Sequence, residues 1–157
     1  MSANPGVHSA SRRRRIAAIS LAAIGAALLV PRRWLTVNDV TTGVAPAYPE
    51  LAPHRYVETP DQTLQAARDS MRQMARWRIV REDAPERRID AEIRVFLFGF
   101  TDDVTVWVEP EGTCSRVMIR SHSRIGKGDL GENARTIRAL QAQMDRRLTR
   151  RTLGVRT

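Results

Sequence analysis

Between Arg88 and Ile125 the chain alternates apolar and polar residues in three successive runs, with a short turn between one run and the next. In the run from Arg88 to Phe98, Ile89, Ala91, Ile93, Val95 and Leu97 share one side. Asp90, Glu92 and Arg94 lie opposite, with Phe96 and Phe98 ending that second side. Gly99 to Asp102 reads as a turn, after which Val104, Val106 and Val108 alternate with Thr105 and Trp107. Glu109-Pro110-Glu111-Gly112 reads as the next turn, with the lone cysteine, Cys114, beside it as an incidental thiol. In Arg116 to Ile125, Val117, Ile119, Ser121, Ser123 and Ile125 take one side, and Arg116, Met118, Arg120, His122 and Arg124 the other. A period of two is a strand's period, and consecutive strands joined by short turns pair antiparallel. Arg78-Ile79-Val80-Arg81 adds a fourth, shorter strand.

Helices are expected on either side of this block in the sequence. Thr59-Pro60-Asp61-Gln62 is a helix start, with Thr59 as N-cap, proline at the first position and Gln62 reaching back. Leu64, Ala67, Met71, Met74 and Ala75 follow at helical spacing, and Trp77 closes the helix. The second helix is expected to start at Asp129 as N-cap, with Glu132 completing a capping box. Its apolar stripe is Leu130, Ala134, Ile137, Leu140, Met144 and Leu148. The fold class predicted is α+β: a two-layer domain over 59–150 in which two helices cover a four-stranded antiparallel sheet, preceded by an N-terminal hydrophobic helix.

Charge is distributed unevenly. The net charge is +9, yet the segment from Asn38 to Asp145 holds 15 basic residues against all 17 acidic ones. The excess basicity sits at the ends, which argues against nucleic acid as a partner. Residues 1–15 read as a disordered basic N-terminus ending in Arg12 to Arg15, and 151–157 as a basic tail. Residues 16–35 hold a fifteen-residue apolar run, Ile16 to Val30, then Pro31-Arg32-Arg33-Trp34-Leu35. The run is on the boundary between a signal-peptide core and a membrane span. No small-x-small cleavage site follows it, and Trp34 suits a membrane interface. With four arginines before it and two after, the expectation is a single-pass anchor in the cytoplasmic membrane, N-terminus inside, domain extracytoplasmic. A cleaved signal peptide is the competing reading. Residues 36–58, punctuated by Pro46, Pro49 and Pro53, read as a proline-rich linker.

Chemistry is sparse. One cysteine allows no intramolecular disulfide and no cysteine-based metal site, and His8, His54 and His122 have no metal-ligand spacing. No cofactor is expected. Asp102 and Asp103 are adjacent, so on a strand they face opposite ways and cannot form a carboxylate dyad. Arg120 and Arg124 with Lys127, ahead of the glycine-containing helix entry Gly126 to Leu130, are candidates for an anion site. The same arginines could instead pair with carboxylates on neighbouring strands, which makes Asp102, Asp103, Asp129 and Asn133 a structural motif. The entry lacks the P-loop pattern, and Asp129 places a negative charge where a phosphate would sit.

Gly99-Phe100-Thr101-Asp102-Asp103-Val104 and Arg120-Ser121-His122-Ser123-Arg124-Ile125-Gly126-Lys127-Gly128-Asp129-Leu130-Gly131-Glu132-Asn133-Ala134 together resemble the bacterial family called domain of unknown function 1499. Asn38-Asp39-Val40-Thr41-Thr42 is similar to its opening, and the likeness spans about residues 36 to 148. The chain departs from the family pattern at Gly43, where an aspartate is usual, and lacks the Pro-Pro pair after it. It departs again at Met118 for an aspartate, His122 for an arginine and Gly128 for a serine. The resemblance implies a bacterial envelope or membrane-associated protein and assigns no reaction. The function expected is therefore a non-catalytic, membrane-tethered binding or structural domain. Its partner would be an anionic ligand or an envelope protein. The alternative is a hydrolase or isomerase using Asp102 or Asp103 with His122, Arg120 and Arg124.

Overall fold

Each alternating run forms a strand over the residues described; Val95 to Phe98 of the first run lie outside them, and Thr101, Asp102 and Glu109 to Glu111, read as turn residues, belong to a strand. In the computed structural model, residues 36–94 and 99–150 are described, all within the unit Arg33–Thr157. The expected N-terminal anchor and basic tail lie outside the described residues. Among the described residues, no helix is long and apolar enough to cross a membrane.

The order of elements is β1 (Asp39–Thr41), β2 (His54–Tyr56), α1 (Pro60–Gln73), β3 (Trp77–Asp83), β4 (Arg88–Arg94), β5 (Thr101–Glu111), β6 (Cys114–Ser123) and α2 (Glu132–Asp145). The architecture is α+β, with an antiparallel sheet in the order β1-β6-β5-β4-β3 and β2 also paired to β6. The sheet has six strands rather than four, and its first two precede α1, so the helices do not flank it in the sequence. Both extra strands come from the stretch read as a linker. They are three residues long and lie among prolines, so neither shows a readable period. They pair side by side along one edge of β6, Val40 opposite Ser121 and Arg55 opposite Arg116, and cover what would otherwise be a long open strand. Val40, Tyr48, Leu51 and Tyr56 from this stretch are buried in the core. Gly43, at φ 73°, turns the chain out of β1 into the loop that returns to β6 as β2, and a Cβ there would lie 2.9 Å from Pro53 Cδ.

The apolar sides of the strands behave as the alternation predicts. Ile89, Ala91, Ile93, Val104, Val106, Val108, Val117 and Ile119 face inward. Leu64, Ala67 and Met71 of α1, with Ala134, Ile137, Leu140 and Met144 of α2, close over them. Each large side chain taken fully from water contributes about 1.5–3 kcal/mol. The Thr59–Gln62 capping box and Pro60 start α1 as expected. The helix stops at Gln73, because Met74 is extended and Arg76 adopts φ 71°. Ala75 therefore leaves the apolar face and is exposed, and Trp77 opens β3 instead of closing the helix. Cys114 is a buried free thiol at the start of β6 rather than a turn residue.

Candidate functional site: a cleft at the Asp102 end of the sheet

The most recognisable part of the sequence folds into a buried polar hub. On β6, Ser121 and Ser123 point inward with Val117 and Ile119. They meet Asn133 in the first turn of α2, which is fully buried. Ser121 Oγ donates to Asn133 Oδ1 at 2.6 Å. Asn133 Nδ2 donates to the Asn38 carbonyl at 2.9 Å and to Ser123 Oγ at 3.0 Å. Asn38 Nδ2 in turn donates to the Gly126 carbonyl at 2.6 Å. Two amide side chains, those of Asn133 and Asn38, thus tie together β6, the loop after it, α2 and the segment before β1. A buried asparagine needs this many partners, since each unmet polar group costs about 1–3 kcal/mol.

Asp129 serves the same junction, but not as predicted. Helix α2 begins at Glu132, its N-cap is Gly131, and no side chain caps it there. Leu130 and Gly131 both take positive φ, 54° and 79°. That left-handed pair swings the chain so that Asp129 stands off the helix end, and its carboxylate accepts the amides of Gly131 at 2.8 Å and Asn133 at 2.7 Å. Glu132 does not reach back; it pairs with Arg135 at 2.8 Å. The later start removes Leu130 from the apolar stripe and leaves it exposed, and Ile125 is exposed as well.

Asp102 sits where these pieces meet. It lies on the inner face of β5, directly across from Ser123 of β6, and is 4% exposed. Ser123 accepts from Asn133, so its own hydrogen is free to go to the Asp102 carboxylate. Burial raises the Asp102 pKa above the ordinary carboxylate value; the Ser123 hydrogen bond opposes this, and the charges of Asp129, Glu132 and Asp103 add to it. Asp102 lines a cleft of about 210 Å³ together with Asp129 and Glu132, and Phe100, Ile125 and Leu130 form apolar walls. Drug-sized sites run to roughly 300–1,000 Å³, so this cleft suits a side chain or a head group.

Asp103, one residue on, faces the other way and belongs to a different setting. The outer face of the sheet is open and ordered in cross-strand rows. One row runs Asp39, His122, Asp103, Glu92 and Arg78; the next runs Thr41, Arg120, Thr105, Asp90 and Arg81. Asp103 and Glu92 are like charges directly opposite one another, which is unfavourable alone. Arg124 resolves this by reaching Asp103 through both Nε (2.9 Å) and Nη2 (2.6 Å), and Glu92 through Nη2 at 2.6 Å. Arg120 binds Asp39 in the same two-pronged way, Nε to Oδ1 at 2.9 Å and Nη2 to Oδ2 at 2.5 Å. Arg120 holds Asp39 below the ordinary carboxylate range, and Arg124 with Arg78 does the same for Glu92.

The candidates named from sequence therefore divide. Asp102, Asp129 and Asn133 converge at the inner junction. Asp103, Arg120, Arg124 and His122 lie on the outer face. Lys127 is exposed in the loop between them. An external anion at Arg120 or Arg124 would compete with Asp39, Asp103 and Glu92, which already occupy both guanidinium groups. His122 is half-buried between Asp39 and Asp103 in the outer row, on the opposite side of the sheet from Asp102. An acid–base pair of Asp102 with His122 is excluded by this alternation. Among the described residues, no group of three or more His, Cys, Asp or Glu side chains could hold a metal ion.

A second, partly buried polar cluster was not legible in the sequence. Tyr56 donates to Asp145 Oδ1 at 2.8 Å, and His54 Nδ1 lies 3.0 Å from the same oxygen. Burial lowers the His54 pKa against the pull of Asp145, and raises that of Tyr56. Helix α2 has no basic residue in its last turn: Asp145 is its last residue, and Arg146 follows it. An acid at that end is unfavourable by itself, and these partners from β2 offset the cost. His54 and Asp145 are 91 positions apart, and no spacing rule links them.

No curated protein matches the chain. Among solved structures it is similar to the crystal structure of TTHA0849 from Thermus thermophilus, at 12% identity and a TM-score of 0.37, over 69% of this chain and 95% of that one. A family model described as "Protein of unknown function (DUF1499)" matches residues 4–144. With nearly the whole chain matched and with the paired aspartates and the Ser121-to-Asn133 hub inside the match, the chain belongs to that family.

Proposed function

We propose that this protein is a non-catalytic binding domain, tethered to the cytoplasmic membrane through residues 16–35 with the domain on the outer side, and that its ligand seat is the Asp102 cleft. One observation carries the choice of site: a nine-tenths-buried carboxylate at the floor of a cleft whose rim exposes Phe100, Ile125 and Leu130. These are three of the six large apolar side chains found exposed among the described residues. Exposed apolar side chains clustered around a polar floor are the usual make-up of a recognition site. The tether is supported by the arginine imbalance around Ile16 to Val30.

A hydrolase or isomerase would need its acid, base and substrate to converge. The alternation that separates Asp102 from His122 breaks that pairing, and Asp103, which does lie across from His122, is held by Arg124; both favour binding over that reading. Two experiments test the proposal. A reporter fused after Thr157 should be active only outside the cytoplasm; cytoplasmic activity overturns the tether and its orientation. A fragment screen on the full chain in nanodiscs, followed by amide NMR, should give saturable shifts at Phe100, Gly128 and Leu130. Shifts confined to the outer face, around Arg120 and Arg124, would move the seat there and restore the anion site.

A further inference from the structure

We infer that the Asp102 cleft takes a cation carried on a short apolar body, such as an alkylammonium group or a basic side chain flanked by apolar ones. This rests on the cleft being the ligand seat and adds the chemical class of the ligand. The carboxylates around the cleft are not equivalent. Asp129 is offset by two backbone amides at 2.8 and 2.7 Å. Glu132 is offset by Arg135. Asp102 is the most deeply buried of the three, and the nearest donor to it is a single hydroxyl, that of Ser123. A carboxylate can accept about four hydrogen bonds, so a single neutral hydroxyl leaves room at Asp102 for a further donor.

Among the described residues no basic side chain lines the cleft, and Lys127, although adjacent in sequence to Gly126 and Gly128, is exposed and not among the lining residues. Three carboxylates, of which only Glu132 is paired with a cation, give the cavity a negative potential, strengthened by its low-dielectric apolar walls. An anion would be repelled there. A neutral apolar molecule would gain only the walls. An ammonium group would gain a charge-assisted hydrogen bond at the floor while its carbon chain covers Phe100, Ile125 and Leu130. The volume of about 210 Å³ admits a group of that size and not a large cofactor.

The test uses three matched probes on the full chain in nanodiscs: butylammonium, butanol and butyrate, each followed through the amide resonances of Phe100, Gly128 and Leu130. Butylammonium should bind roughly tenfold more tightly than butanol, the worth of one hydrogen bond to a charged group, and butyrate should bind weakest. Asp102→Asn should remove the preference for butylammonium over butanol while leaving butanol binding unchanged. Leu130→Ser, at an exposed rim position, should weaken butylammonium and butanol alike without unfolding the domain. Equal or tighter binding of butanol or butyrate overturns the cation assignment and leaves the cleft standing as a ligand seat. Retention of the full butylammonium preference in Asp102→Asn also overturns it. Absence of saturable shifts with all three probes overturns the ligand seat itself, and the cation assignment with it.

Discussion

Asp102 and Asp103 are neighbours in the chain and lie in opposite environments. On the outer face, Asp103 and Glu92 share Arg124, Asp39 holds Arg120, and the side chains remain substantially exposed. At the inner junction, Asp102 is buried with a hydroxyl for company, and Asp129 is met by backbone amides. The outer face has an ion-pair lattice in high dielectric, where each pair is worth little and salt screens it. The inner junction has few polar groups, each desolvated, so each unmet hydrogen bond is expensive. The motif is thus split: Asp102, Ser121, Ser123, Asp129 and Asn133 sit where errors cost most, and Asp103, Arg120 and Arg124 sit on the open face where they cost less.

The sharpest way to break this comparison is at Asn133. Asn133→Leu should leave the Ser121 and Ser123 hydroxyls and the Asn38 carbonyl with lost partners, costing at least about 2–3 kcal/mol. Urea denaturation with an unchanged midpoint would deny the hub its structural role. Asp129→Ala comes next, at about 1 kcal/mol, since it strips the acceptor from two amides at the start of α2. A melting curve identical to wild type would show that water replaces the carboxylate without loss.

Asp102→Asn should act in the opposite sense and stabilise the protein at neutral pH. The folded-state pKa of Asp102 is raised, so its ionised form is penalised once pH exceeds that value. Below the unfolded-state pKa, about 3.9, both states are protonated and the penalty vanishes. The gain from Asp102→Asn should therefore be full at pH 7 and fade as pH falls toward about 4. Asn keeps an oxygen to accept the Ser123 hydroxyl. Paired thermal melts at pH 7 and pH 4 measure this, and a variant less stable than wild type at pH 7 would mean that the carboxylate is held by more than Ser123.

The smallest effect belongs to the outer face. Arg120→Ala should cost less than about 1 kcal/mol, because the Arg120–Asp39 pair is half exposed. Its pH sense is the reverse of that at Asp102. The Asp39 pKa is lowered in the folded state, so the pair's stabilisation is present above the unfolded carboxylate pKa and is lost as pH falls through the folded one. A loss of several kcal/mol, or one unaffected by 0.5 M salt, would place Arg120 among the desolvated groups and erase the distinction between the two regions.

The strands β4 to β6 were legible because one face of each is buried and the other is not, and burial on one face writes a period of two into the sequence; β3, only partly buried through Trp77 and Ile79, shows it faintly. Thr59 and Gln62 announced α1 because a capping box is local. Asp129 misled for the same reason: its spacing to Glu132 is that of a capping box, but the left-handed turn at Leu130 and Gly131 shifts the helix start to Glu132. Gly131 hinted at such a turn; Leu130, in a conformation that side chains resist, did not.

By itself the sequence determined the α+β class, the inward face of each long strand and the opposite placement of Asp102 and Asp103, because these follow from periods of a few residues. Tertiary structure alone decided that the proline-rich stretch supplies β1 and β2, that Asp145 meets His54 and Tyr56, and that Asp102 lies in a cleft with Phe100, Ile125 and Leu130. Those outcomes depend on which segments pack against one another across separations as long as the 91 positions between His54 and Asp145. Hydrophobic burial, which selects such packings, is non-directional and leaves no spacing in the sequence to read.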